Sequence, residues 1–299
     1  MIKVKNVTKT FGNFTALNEV SLHVNKGSVY GLIGPNGAGK TTIIKNLTGI
    51  YTPDSGSLEI DGMPVFENTE LKQNVVYIGD ELYFFPSYTI KDTAKFYAGL
   101  YKNWSWERFE NLKSIFNIDT GRKVKRLSKG MQKQVAFWLG ICTCPKVMIL
   151  DEPVDGLDPV MRKNVWKIIL RDVADNETTV LISSHNLREL EDVCDHVGIM
   201  HHGNVVLEKS LDDVKGNIHK IQLAFNDGFP EELRNDIDIL HIETVGRVHL
   251  AIVKGDSEKI KESIGRFNPM ICEILPLTLE EVFIYELGGM GYEFENIIL

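Results

Sequence analysis

No uninterrupted run of about 18 apolar residues occurs in the chain, the length that would let a helix cross a bilayer, so no membrane-spanning segment is expected. The opening residues, MIKVKNVTKTFGNF, carry neither an apolar core nor a small-residue cleavage site, so no secretory signal is expected either. Cysteine is scarce: Cys142, Cys144, Cys194 and Cys272 form no Cys-x-x-Cys pair. They are read as small buried apolar residues of a reducing cytoplasm, which excludes a disulfide framework and a zinc ribbon. A basic excess is also missing. Lys and Arg number 33 against 41 Asp and Glu, for a net charge of -8. That balance argues against a protein that wraps nucleic acid by its general field. There is no internal repeat, no low-complexity tract and no Asn-Lys-x-Asp guanine-reading motif.

What is present is ordinary for a folded protein: 299 residues, 43% hydrophobic and 25% charged. That length accommodates one large domain and a small one. Residues 1–30 alternate apolar and polar, as in Ile2, Val4, Val7 and then Val20, Leu22, Val24, which predicts antiparallel strands. Residues 28–33 form a β-rich run, and 41–48 carry helical spacing. Residues 55–66 predict a hairpin turning at Asp61-Gly62. From about residue 89 to 130 strand patterns vanish in favour of a helical insertion. Residues 147–150 and 180–183 are apolar strands separated by a helical stretch, which predicts a parallel sheet covered by helices. Near residue 216 the pattern resets. The division expected is 1–216 and 217–299, the second a small α+β domain closed by a helix presenting Leu279, Val282, Phe283 and Leu287.

Gly34-Pro35-Asn36-Gly37-Ala38-Gly39-Lys40-Thr41 fits the spacing G-x-x-x-x-G-K-[ST] between a strand and a helix. Glycines let backbone amides face phosphate oxygens, and the helix N-terminus adds partial positive charge. Lys40 is assigned to the β- and γ-phosphates, Thr41 to Mg²⁺, and Thr42 to the phosphates nearby. Residues 147–150 then deliver Asp151 and Glu152 to a strand's C-terminal end, where open α/β sheets bind ligands. Asp151 is read as a Mg²⁺ ligand and Glu152 as the base for an attacking water.

Leu127-Ser128-Lys129-Gly130-Met131-Gln132 resembles the signature loop of ATP-binding-cassette (ABC) ATPases. Asp155-Gly156-Leu157-Asp158 resembles that family's D-loop, and Ser183-Ser184-His185 its switch histidine. Phe11 stands where the family stacks an aromatic on adenine. Together these motifs cover roughly residues 1–215. The resemblance implies an α/β P-loop fold of mixed sheet, antiparallel β subdomain and helical insertion. It implies ATP and Mg²⁺ as cofactors, with His185 on the γ-phosphate. It further implies a head-to-tail dimer, of this chain or with a related subunit, in which Ser128 and Gly130 serve the partner's nucleotide, and it counts Asp158 of the D-loop among the nucleotide-binding residues. Asp80 aligns where the family usually has Gln; an ionised acid cannot donate a hydrogen bond there.

The insertion is where such ATPases meet an integral membrane permease, and residues 83–86 (Tyr-Phe-Phe-Pro) are the candidates for that contact. Residues 278–283 resemble the close of the accessory region in ABC-2-type export ATPases, a subgroup linked to antimicrobial peptides and envelope stress. Export by a separate permease, from the cytoplasmic face of the membrane, is therefore expected, with no nucleic acid partner. Two alternatives stand beside it: an importer ATPase, and an ABC protein that does not transport.

Overall fold

Alternating side chains on β1 (Ile2–Phe11) and β2 (Phe14–Val24) send Ile2, Val4, Leu22 and Val24 inward. With β4 (Ser55–Ile60) and β5 (Met63–Pro64) they form an antiparallel sheet in the order β2-β1-β4-β5, numbered in chain order with β3 below. Asp61 and Gly62, between β4 and β5, have φ of 54° and 74°. Two left-handed residues in a row are what a two-residue type I′ turn requires.

The second sheet is made of β3 (Val29–Ile33), β6 (Val75–Ile78), β7 (Val147–Asp151), β8 (Thr179–Ser184), β9 (His196–His201) and β10 (Asn204–Ser210). Its order is β10-β9-β3-β8-β7-β6. The pairs β3–β8, β3–β9, β6–β7 and β7–β8 are parallel. Every residue of β3, β7 and β8 is buried. That explains runs such as Val-Met-Ile-Leu, since strands covered on both faces need no polar alternation. The C-terminal ends of β3, β7 and β8 lie side by side, with Asp151 paired to Ser183 across β7 and β8.

Helices α1 (Lys40–Leu47) and α2 (Thr69–Lys72) precede the insertion, which holds α3 (Ile90–Leu100) and α4 (Trp106–Phe116) and leads into α5 (Lys129–Cys142). Side chains supply what the first amides of each helix lack. Thr89 and Asp92 form a reciprocal capping box on α3, and Ser105 Oγ accepts from Arg108 N at 3.1 Å on α4. Trp138 of α5 is fully buried and stacks on Phe109 at 4.6 Å and Phe116 at 5.7 Å, so α4 closes on the indole of α5. After β7 come α6 (Pro159–Asn176) and α7 (Leu187–Leu190).

This computed structural model describes residues 1–211, 218–226, 228–278 and 280–282. They divide into two compact units: Met1–Asn186 with Val193–Glu208, and Leu187–Asp192 with the described residues from Lys209 onward. The second contains β11 (Ile218–Ala224), α8 (Leu233–Asp236), β12 (Asp238–Val245), β13 (Val248–Lys254), α9 (Ser257–Gly265) and β14 (Ile271–Leu275). Its antiparallel sheet runs β12-β13-β11-β14, with Ile221, Leu223, Ala251, Val253, Ile260 and Ile264 in one core. Of the expected final helix face, Val282 is buried, while Leu279, Phe283 and Leu287 lie outside the described residues. One expectation is corrected. Cys272 is exposed rather than buried, because β14 is an edge strand whose side chains are mostly uncovered. No helix among the described residues is long and apolar enough to cross a membrane.

Candidate functional site

The glycine-rich loop joins β3 to α1. Gly34 and Ala38 are buried, Asn36 and Gly37 exposed, and Ala38 N donates to Pro35 O at 3.1 Å across the turn. Gly39 has φ +107°, and a Cβ there would lie 2.8 Å from Ala16 O. Only glycine meets both demands. Lys40 is 5% exposed. Its Nζ donates to Gly34 O at 2.5 Å and Pro35 O at 3.3 Å, and lies 3.6 Å from Glu152 Oε1. Burial pushes its pKa down, and the carboxylates of Glu152 and Asp151 push back.

Thr41 Oγ1 donates to Asp151 Oδ1 at 3.3 Å, across from the start of α1 to the end of β7; Thr42 follows, half-buried. Asp151 also accepts from Ser183 Oγ of β8. A hydroxyl and a carboxylate converging at the mouth of a phosphate loop form a hard oxygen donor set, which suits Mg²⁺. The local field agrees. Burial first, then the carboxylates of Asp151, Asp80 and Glu81, lift the Tyr77 phenol to about 12.

Glu152 has φ +45°, a left-handed backbone for a residue with a side chain. Such a conformation costs about 1–2 kcal/mol and persists only where neighbours hold it. Here its N–H donates to Ser183 O and to Ser183 Oγ, both at 3.2 Å. Its carbonyl accepts from Lys133 Nζ at 2.8 Å. The carboxylate so aimed meets His185 Nδ1 at 2.9 Å. Glu152, Asp155 and His185 place ligand-type atoms within 4.8 Å of one another.

Phe11 ends β1, 43% exposed and edge-on to Tyr51 at 5.3 Å, with Lys9 Nζ 5.6 Å from its centroid. Asp54 braces this platform, accepting from Thr10 N and Thr10 Oγ1 at 2.6 Å and from Lys9 Nζ at 2.9 Å. The Thr10 bonds, then Lys9, hold the Asp54 carboxyl down at about 2. Ser128, Gly130 and Asp158 are placed differently. Ser128 Oγ caps α5, accepting from Met131 N at 3.3 Å. Gly130 packs so close that a Cβ would come within 2.4 Å of Gly156 O. Asp158 caps α6 through Val160 N at 3.1 Å and Met161 N at 3.0 Å. Asp80 is exposed and faces Lys133 Nζ at 3.9 Å.

The structure thus gathers Lys40, Thr41, Asp151, Glu152 and His185 into one cluster. Among the described residues, no hydrogen bond joins Ser128 or Asp158 to it. Two members have roles here that the motifs do not announce. Ser183 enters because the β7–β8 register sets it opposite Asp151. Lys133 enters from α5, buried, and burial pushes its ammonium pKa down against four surrounding carboxylates. Lys133 sits between Gln132 and Gln134 in the polar first half of that helix, which also holds Lys129, so nothing in the sequence marks it out.

A profile described as ABC transporter matches residues 17–155. The ABC transporter ATP-binding protein YtrB of Bacillus subtilis is 30% identical over 97% of this chain and 99% of its own length. The bacitracin transport ATP-binding protein BcrA of Bacillus licheniformis is 32% identical over 97% of this chain and 98% of its own. A solved ATP-binding subunit of an ABC transporter superposes with TM-score 0.67 at 27% identity, covering 72% of this chain and 92% of that one. The chain belongs to the ABC transporter family, as an ATP-binding subunit with ATPase activity.

Proposed function

We propose that two copies of the chain, or one copy and a related subunit, close head-to-tail around two ATP molecules and thereby drive a separate membrane permease. One observation carries this reading. Lys40, Thr41, Asp151, Glu152 and His185 converge on one point, while the Ser128 turn, though chemically fit for an anion, has no bond to them. A nucleotide on that cluster reaches a Ser128 turn when a second copy presents its own.

In this reading the loop amides and Lys40 hold the β- and γ-phosphates, and Phe11 stacks on the adenine. Thr41 and Asp151 would hold Mg²⁺, which when bound would supply neutralisation of the phosphate charge. Glu152 accepts the proton of the attacking water, within hydrogen-bond reach. His185, fixed by Glu152 at 2.9 Å, hydrogen-bonds the γ-phosphate. Ser128 and Gly130 of the partner copy bind that phosphate from the other side, and Asp158 lies at the same seam. ATP favours closure; hydrolysis removes the contacts that favour it.

An exposed aromatic surface on the insertion supports a permease contact. Tyr83 is 78% exposed, and Phe85 lies 5.3 Å from Phe96 and 4.8 Å from Tyr88. Phe84 faces inward and is excluded from that surface. The name of the Bacillus licheniformis relative, which refers to bacitracin transport, supports a peptide antibiotic as the class of cargo. The ATPase then works at the cytoplasmic face of the membrane and exports.

The test is Glu152→Gln with ATP and Mg²⁺ on a sizing column. The variant should bind ATP, lose hydrolysis and elute as a dimer. Adding Ser128→Arg should restore the monomer, with the melting temperature lowered only by the few degrees that loss of the α5 cap, about 1 kcal/mol, brings. Normal turnover by Glu152→Gln removes Glu152 as the base, and a dimer surviving Ser128→Arg removes its role across the seam.

A further inference from the structure

Lys133 lies on the second turn of α5 and is 4% exposed. An ammonium is not carried into such a place without partners. Those present are the Glu152 carbonyl at 2.8 Å and the Asp80 carboxylate at 3.9 Å. Neither belongs to the packing of α5 itself. One follows β7 directly and the other follows β6. The first bond also has a specific geometric consequence. Glu152 is held left-handed by one grip on its N–H, from Ser183, and one on its C=O, from Lys133. Release of either lets the backbone relax toward the ordinary right-handed or extended regions. That rotation swings the carboxylate away from His185 and Lys40, which it now reaches at 2.9 and 3.6 Å.

The same helix begins with Ser128 as its cap, and its first turn is wedged against Gly156. A helix one to two turns long between Ser128 and Lys133 is stiff. A displacement of its N-terminus is therefore delivered to the Glu152 peptide. We propose that Lys133 is a positioning residue that ties the base to the signature helix, so that a γ-phosphate engaging Ser128 in one copy aligns Glu152 for the nucleotide of that same copy. Each of the two sites then primes the other. Asp80, standing where the family commonly has a neutral Gln, gives the ammonium its second partner and stabilises it in this position. The inference rests on the roles of Glu152 and Ser128 proposed above.

The experiment compares full-length Lys133→Met, Lys133→Arg, Asp80→Asn and Glu152→Gln. Steady-state kcat and KM for ATP are read beside binding of a fluorescent ATP analogue and thermal melting. Methionine keeps the aliphatic stem and removes the donor. Misplacing a catalytic group by about 1 Å costs on the order of 100-fold in rate. Lys133→Met should therefore lose about that factor in kcat, with analogue affinity and melting temperature unchanged. Lys133→Arg, which can still donate to the Glu152 carbonyl, should recover most of the rate. Asp80→Asn should lower kcat in the wild-type background and have no further effect beside Lys133→Met. If Lys133→Met turns over normally while Glu152→Gln is dead, the linkage through Lys133 is wrong and the base assignment stands. If Lys133→Met loses affinity and melting temperature along with kcat, Lys133 is a packing residue and the proposal falls. Normal turnover by Glu152→Gln would overturn the base assignment itself.

Discussion

Replacing Gly130 by alanine adds a single methyl group, and the structure sets what it must do. The new Cβ would stand 2.4 Å from Gly156 O, whereas ordinary contact begins at 3.4 Å. The obstacle is backbone and cannot rotate aside, so α5 and the 155–158 loop must part by about 1 Å, at an overpacking cost of about 1–3 kcal/mol. For a domain of this size each kcal/mol lowers the melting temperature by roughly 2–4 °C. A modest loss of stability is thus expected. The functional loss should be out of proportion to it. The displaced pieces carry Ser128 on one side and Asp155 and Asp158 on the other, and a shift near 1 Å in such groups costs about 100-fold in rate. The phosphate loop is untouched, so monomer affinity for a fluorescent ATP analogue should hold. Steady-state hydrolysis, analogue binding and a melting curve measured on one preparation distinguish these effects. Full turnover with an unshifted melting curve would show that the Gly130–Gly156 approach is not that close in solution, and would refute the reasoning.

Phe11→Ala should weaken ATP binding by about 1–3 kcal/mol, the value of base–aromatic stacking, and leave kcat at saturating ATP intact; a lower kcat with unchanged affinity would take Phe11 off the adenine. Trp138→Ala removes the fully buried indole between Phe109 and Phe116 and should cost about 3–5 kcal/mol by chemical denaturation; a loss below that would mean the insertion collapses into the space. Asp54 titrates near 2 in the folded chain against 3.8 ordinarily. The unfolded chain then binds more protons in that interval, so the contribution of Asp54 to stability is complete above about pH 4 and lost as pH falls through about 2. A carboxyl NMR titration with a midpoint near 3.8 would contradict the bonds to Thr10 and Lys9.

The fold was legible where spacing and composition carry the information alone. Residues 34–41 announce a strand-to-helix phosphate loop, and Val147–Asp151 reads as a covered parallel strand because nothing polar interrupts it. β9 and β10 went unread. β9 is a run of only four apolar residues between His196 and His201, buried beside β3, which is distant in sequence, and β10 lies at the sheet's edge, mostly half-buried. Cys272 was misread for a related reason: its residue type favours burial, but an edge strand offers none. In the site, the roles of Lys133 and Ser183 stayed hidden because each acts on a carboxylate, or its peptide, supplied by another element, at a sequence distance of 19 and 32 residues. The left-handed turn at Glu152 is likewise invisible in sequence, since a glutamate there signals only its charge.

Asp158 is committed to α6, where it accepts from two amides at the head of an 18-residue helix. Were its carboxylate to swing toward another copy, both amides would lose their acceptor, at about 1 kcal/mol for a cap of this kind. In the proposed dimer the helix would then act as a return spring of that strength, loaded as the two chains meet and released as they separate. An encounter too weak to hold against it would come apart before any phosphate bond breaks.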